Sequence, residues 1–287
     1  MIDEQSQEER IFSPLAERMR SDYFTVAENF KEAWTLMKSR FSYYVFLALL
    51  VYLPIQIVLQ YQVSLLDLTV EAPELLMAQM SKLGIVQLVM TLLEEVAILV
   101  IAVICALWID ETQMETKTFS AIFYRGIHMW PRAIVTLILV ALGAVVSISA
   151  MSIFVIIPLL GLLVIPGVLL VAILLVMLQS CTGTTAALRA RMGFDNIRYV
   201  FFVLKGRMWQ TLGIFALITV LTGVLQMGLS LALSNIFDFI TQPVVSMALQ
   251  VVISTMTSII TMYGYTVGAL VFMGAEYRKE KLLTENQ

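Results

Sequence analysis

The sequence has few of the residues on which most catalytic and metal sites depend. Its 287 residues include one histidine, His128, and two cysteines, Cys105 and Cys181. Both cysteines lie in or beside apolar runs without C-x-x-C spacing, so we expect neither a cysteine metal site nor a structural disulfide. No glycine-rich nucleotide motif and no H-E-x-x-H motif occurs. We therefore expect a protein that is not an enzyme and holds no cofactor or metal. His128 lies in RGIHMWPR, where a solvated or headgroup-contacting ring is more typical than a general base.

Charged residues are also scarce, at 14% of the chain, whereas 60% of the residues are hydrophobic. Ordinary soluble domains carry about 25% charged residues. The apolar residues are concentrated in runs of about 20, the length that crosses a hydrocarbon core about 30 Å thick. The sequence therefore predicts an all-α, polytopic membrane protein with about six transmembrane helices, near 41–61, 84–109, 132–156, 160–180, 210–233 and 245–274. Residues 1–24 and 275–287 are predicted to be tails of a single membrane domain over 25–274.

The distribution of lysine and arginine predicts the orientation of these helices. Of the 18 such residues, all except Lys82 lie before the first predicted span, after the last one, or in or directly beside alternate connections between the spans. Cytoplasmic connections carry the excess of positive charge in membrane proteins. We therefore expect both termini on the cytoplasmic side. The net charge of −3 and the membrane location give no reason to expect a nucleic-acid partner.

A repeated pattern precedes three of the spans. Thr25 and Glu28 form a capping box that predicts an amphipathic helix through Arg40, with Ala33, Trp34 and Met37 on its apolar face. Similar stretches read NFKEAWTLMKSRFSYY at 29–44, TFSAIFYRGIHMWPRA at 118–133 and NIRYVFFVLKGRMWQT at 196–211. One interpretation is a threefold repeat of a cytoplasmic interfacial helix followed by a helical hairpin. The other is that any interfacial helix before a span has this pattern.

Two segments resemble a known family: FKEAWTLMKSRFSYYVFLALLVYLP at 30–54 and TGTTAALRARMGFDNIRYVFFVLKGRMWQTLG at 182–213. Both are similar to the bacterial membrane domain attached to some glycerophosphodiester phosphodiesterases and to its stand-alone six-helix relatives. Lys205, Gly206 and Trp209 match the Lys-Gly-x-x-Trp-like exit of that family. The resemblance implies a helical membrane domain in the bacterial plasma (inner) membrane, and no particular activity. The phosphodiesterase barrel, with its paired histidines and acidic metal ligands, is absent from this sequence.

A polar stripe in the second predicted span is the candidate intramembrane site. Gln87, Thr91 and either Glu94 or Glu95 follow helical spacing along one face. A carboxylate deep in a span costs about 2.5–3.5 kcal/mol and often marks function. Three interpretations stay open: a proton or cation site, an interior hydrogen-bonding role, and a span that begins late with both acids among outer headgroups.

The basic residues near the cytoplasmic interface are the second candidate site. Anionic headgroups attract such residues by about 1 kcal/mol each near the surface, although the same residues also enforce orientation. The candidate contacts are Lys38, Arg40, Arg125, Lys205 and Arg207. The first functional hypothesis is a non-enzymatic membrane protein that organises, senses or supports the bilayer or a membrane-protein partner, which includes a second copy of the chain. The second is a small transporter or lipid-translocating protein that uses the acidic stripe.

Overall fold

The computed structural model describes residues 25–64, 100–109, 119–152, 158–237 and 243–285, together with Leu15, Arg18 and Met19. All regular structure in these ranges is helical, which confirms the all-α prediction for the described residues. The helices are α1 (Val26–Ser39), α2 (Phe41–Ser64), α3 (Val100–Ile109), α4 (Phe119–Ser152), α5 (Pro158–Arg189), α6 (Gly193–Leu204), α7 (Met208–Phe237) and α8 (Pro243–Glu285).

Helix α1 begins where the sequence predicts it. The Thr25 hydroxyl accepts a hydrogen bond from the amide of Glu28 at 3.3 Å, and the Glu28 carboxylate accepts one from the Thr25 amide. Two otherwise unpaired amides of the first turn are satisfied in this way. On the predicted apolar face, Ala33 and Met37 are buried against the protein, whereas Trp34 is 56% exposed.

Four helices in the described ranges are long and apolar enough to cross a membrane. They cover Phe119–Ser147, Pro166–Arg189, Met208–Ala232 and Val251–Thr284, which correspond to the third to sixth predicted spans. Helix α2 overlaps the first predicted span and contributes the shorter apolar stretch Phe41–Leu50. The second predicted span is described only over Val100–Ile109. Six spans therefore stay a prediction, and a membrane protein with several crossing helices is the part that the structure supports.

Helix α8 lies at the centre of the described bundle. It packs against α1, α2, α5, α6 and α7. In its most apolar stretch 72% of the residues are buried, against 11% in α7 and 17% in α4. Helices α7 and α4 therefore expose most of their apolar side chains, which a hydrocarbon environment favours. Helix α8 continues to Glu285, so most of the predicted C-terminal tail is helical.

Close packing of α8 involves Gly264 and Gly268, which are four residues apart and so lie on one side of the helix. A Cβ atom at Gly264 would meet Thr222 Cγ2 at 3.0 Å. At Gly268 it would meet Ser180 Oγ at 2.5 Å and Phe215 Cε1 at 2.9 Å. The two glycines therefore allow α5 and α7 to approach the α8 backbone, as small residues do between membrane helices.

The three predicted copies of interfacial helix and span differ from one another. Arg40, with φ −128°, separates α1 from α2, and a turn at Gly206, with φ +88°, separates α6 from α7. The described part of the second stretch, 119–133, has no such break and continues through Pro131 as the single helix α4. The Gly126 Cα lies close to Ile104 of α3, where a Cβ would meet Cγ1 at 3.0 Å. This part of the chain therefore packs on α3 as part of α4, and no separate second interfacial helix is observed in it.

Candidate functional site

The predicted acidic stripe lies outside the described residues. Gln87, Thr91, Glu94 and Glu95 all fall between the end of α2 and the start of α3. The transport hypothesis that depends on them stays a prediction. Within the described ranges, no group of three or more histidine, cysteine, aspartate or glutamate side chains has the arrangement of a metal site.

The predicted headgroup contacts lie near the breaks between helices. Lys38 is exposed at the end of α1, and Arg40 is half-buried in the link to α2. Lys205 and Arg207 are exposed on either side of Gly206, in the turn between α6 and α7. Arg125 is half-buried on α4. The structure therefore gathers two of the five, Lys205 and Arg207, in a single turn.

Aromatic contacts join the helix ends that carry these residues. The Tyr43 ring stacks on Phe119 with centroids 5.2 Å apart, and Trp108 lies 5.8 Å from each of them. The Tyr44 hydroxyl lies 3.1 Å from the Thr266 hydroxyl. The start of α2, the end of α3 and the start of α4 therefore meet at one end of the bundle. We call this the basic end, since Arg40 and Arg125 lie beside it.

A bidentate ion pair joins α5 to α8 at the basic end. Arg189 Nε and Nη2 each lie 3.0 Å from an oxygen of the Glu276 carboxylate. The Tyr199 hydroxyl of α6 donates to the same carboxylate at 2.6 Å. The Glu276 side chain is 2% exposed and that of Arg189 is 29% exposed. Burial, together with the adjacent carboxylate, raises the pKa of Tyr199. Three helices are therefore tied together by one carboxylate.

Sequence reasoning missed this cluster. Glu276 was assigned to the boundary of a tail, and Arg189 was counted only as a charge that sets orientation. The two residues are 87 positions apart, so no local spacing joins them. The local signal that could have indicated the cluster is the position of Glu276, an acid at the end of the last apolar run, where other apolar runs are followed by arginine.

A second set of polar contacts anchors α6 to α4 and α5. The Thr136 hydroxyl accepts a hydrogen bond from the Gly193 amide at 2.9 Å. The Asn196 side-chain amide donates to the Thr182 carbonyl at 3.0 Å. The Arg132 guanidinium donates to the Ala190 carbonyl at 3.3 Å. Buried polar atoms in a membrane protein must find such partners, so this network fixes the position of α6 at the basic end.

The remaining candidates for chemistry have ordinary surroundings. His128 is exposed, and its Nδ1 lies 3.0 Å from the Tyr124 carbonyl in its own helix, as expected for a surface histidine. Cys105 and Cys181 are buried and unlinked. This arrangement is consistent with the expectation of no disulfide.

The basic end can therefore hold two amphipathic helices firmly against a bundle of apolar spans. In the exposed turn between α6 and α7, Lys205 and Arg207 place positive charge beside an aromatic ring, Trp209, which is 78% exposed. No family model matches this chain, and it matches neither a curated protein nor a solved structure.

Proposed function

We propose that this chain is a non-enzymatic integral membrane protein whose basic end binds anionic lipid headgroups and so organises or supports the surrounding bilayer. The observation that carries the proposal is the α6–α7 turn. Lys205, Arg207 and Trp209 are all exposed there. A tryptophan ring prefers the membrane interface, and an adjacent cation can reach the phosphates.

The exposed side of α6 supports this proposal. Phe194 is 75% exposed, and Phe201 and Phe202 are also exposed, although α6 buries Val200 and Leu204 against the bundle. A helix with apolar residues exposed on one side and fixed on the other suits insertion into the headgroup layer. The Arg189–Glu276–Tyr199 cluster fixes its depth, because it ties α6 to two spanning helices.

The location belongs to the same proposal. Anionic lipids give the cytoplasmic leaflet its negative surface potential, and cytoplasmic connections carry the excess of basic residues. We therefore place the basic end and both termini in the cytoplasm, with the chain in a bacterial plasma membrane, as the family resemblance implies. Its contacts are lipids and, through the exposed faces of α4 and α7, a membrane-protein partner or second copy.

Selective contact with anionic lipid is testable at Trp209 itself. A variant that keeps Trp209 and replaces Trp34, Trp108 and Trp130 with phenylalanine is reconstituted in brominated phosphatidylcholine. Unbrominated phosphatidylglycerol should relieve quenching of Trp209 more than the same fraction of unbrominated phosphatidylcholine. Arg207→Gln should lower this preference about fivefold, because one cation near the surface contributes about 1 kcal/mol.

The matched control is Lys31→Gln, which removes one exposed cation from α1. It should leave the preference measured at Trp209 unchanged, and 0.5 M salt should weaken the preference in the parent protein. Equal relief by the two lipids would contradict headgroup recognition at this turn. If Lys31→Gln lowered the preference as much as Arg207→Gln does, the preference would come from the overall charge of the protein and not from this turn.

A further inference from the structure

A cleft lined by polar and apolar side chains lies between α5, α7 and α8. It has a volume of about 210 Å³ and is partly open to the outside of the bundle. Its polar lining consists of Ser180, Thr219, Thr222, Gln226, Thr261 and Tyr265. A hydroxyl or amide group that lines a space within spanning helices needs a hydrogen-bond partner, which either the protein or a bound molecule supplies.

The cleft lies deep within the predicted hydrocarbon layer. Thr219 and Gln226 follow Met208, the first residue of α7, by about 16 and 27 Å along the helix axis at 1.5 Å per residue. A hydrocarbon core is about 30 Å thick. The cleft therefore extends from the middle of the membrane toward the side opposite the basic end.

Three of the hydroxyl groups that line the cleft already donate to carbonyls of the protein. Thr219 and Thr222 each donate to a carbonyl of their own helix at 2.8 Å. Thr261 donates to the Thr257 carbonyl at 3.1 Å and accepts from Gln226 Nε2 at 2.9 Å. The Gln226 carbonyl oxygen has no hydrogen-bond partner among the residues that the structure describes. The Gln226 oxygen is therefore an open acceptor, which a ligand that donates a hydrogen bond would complete.

The ligand must also be neutral. None of the described residues that line the cleft is charged. A phosphate or a carboxylate at this depth would lack a compensating cation, and uncompensated charge inside a membrane is strongly disfavoured. A hydroxyl group supplies the donor without this cost.

The position of the cleft indicates that this ligand comes from the bilayer. On α7, side chains one or two residues from the lining are exposed and apolar: Val220 is 60% exposed and Val224 is 63% exposed. The outer surface of α7 therefore faces acyl chains, and a molecule that enters from there must be amphiphilic. We propose that the cleft binds the free hydroxyl group of a neutral lipid alcohol, of which a diacylglycerol is the simplest example.

Photochemical cross-linking of the full-length protein in phosphatidylcholine nanodiscs tests this site. The probe is a diacylglycerol with a diazirine on the first carbons of one acyl chain. Its cross-linking should saturate, map to α7 and α8, and be competed by unlabelled diacylglycerol. A diacylglycerol whose hydroxyl is capped as a methyl ether should compete at least several-fold less well.

Variants at two positions separate the site from general lipid contact. Gln226→Leu and the isosteric Thr261→Val should each weaken saturable cross-linking about two- to tenfold, the effect of one hydrogen bond. The control is Thr255→Val, since Thr255 is also on α8, donates to the Val251 carbonyl at 2.8 Å and does not line the cleft. It should behave like the parent protein.

Three results would overturn the proposal. The first is cross-linking that does not saturate, which is expected if only water fills the cleft. The second is equal competition by the capped lipid. The third is unchanged cross-linking in Thr261→Val, judged on protein whose thermal unfolding matches the parent, so that the conclusion stands even if Gln226→Leu fails to fold.

Discussion

Replacing Arg189 with leucine should destabilise the bundle by about 3 kcal/mol, because the Glu276 carboxylate would stay buried without its cation. Removing one partner of a buried pair costs about 3–5 kcal/mol. We expect the lower end of this range, since Arg189 is 29% exposed and the Tyr199 hydroxyl would still donate to the carboxylate. The free energy of unfolding in detergent micelles, measured by steric trapping, gives the value directly.

Arg191→Leu is the matched control for this change. Arg191 also pairs with an acid, Asp195, at 2.8 Å, but the two side chains are 37% and 64% exposed. Its guanidinium also lies 4.2 Å from the centre of the Tyr199 ring. Exposed ion pairs and exposed cation–π contacts contribute little, so the change should cost about 1 kcal/mol, well below the loss expected for Arg189→Leu. The double variant with leucine at both Arg189 and Glu276 should recover much of the loss. A loss in the double variant equal to the sum of the single losses would show that the pair is not coupled.

Gly268→Ala should also destabilise the protein, by about 1–3 kcal/mol, because the added methyl group has no space. It would lie 2.5 Å from Ser180 Oγ and within 3.0 Å of the Phe215 ring, so α5 and α7 must both move away from α8. The thermal unfolding midpoint in detergent, followed by circular dichroism, should fall. Ser180→Ala in the same chain should restore part of it.

Gly223→Ala provides the comparison for this second change. Gly223 is in α7, and a Cβ atom there would have no neighbour within 4 Å. Alanine favours a helix over glycine by up to about 1 kcal/mol, so this variant should unfold at an equal or higher temperature. If both variants unfold alike, close approach at Gly268 is not what positions α8.

Local signals allowed much of the fold to be predicted from the sequence. The capping box of α1 involves residues three positions apart, and apolar runs of spanning length need only composition. The exposure of Lys205 and Arg207 also followed from local pattern, because glycine and flanking charges are typical of a turn. These features depend on the chain within a few residues of each position.

Features that depend on tertiary packing were not predictable. The Arg189–Glu276 pair joins residues 87 positions apart, and the cleft combines residues of α5, α7 and α8. The threefold repeat stays one of two interpretations. Helix α4 is continuous through Pro131, whereas breaks at Arg40 and Gly206 separate the other two pairs of helices, and the similar sequence patterns do not predict this difference.

The orientation of the basic end is the central claim, and cysteine accessibility tests it most directly. In a variant with Cys105 and Cys181 replaced by alanine, single cysteines are placed at Met192 near the basic end and at Thr241 in the 234–244 connection. With intact cells, a membrane-impermeant maleimide should label Thr241→Cys and leave Met192→Cys unlabelled until the membrane is permeabilised. Labelling of Met192→Cys from outside, with Thr241→Cys protected, would contradict a cytoplasmic basic end and the headgroup contacts proposed for it.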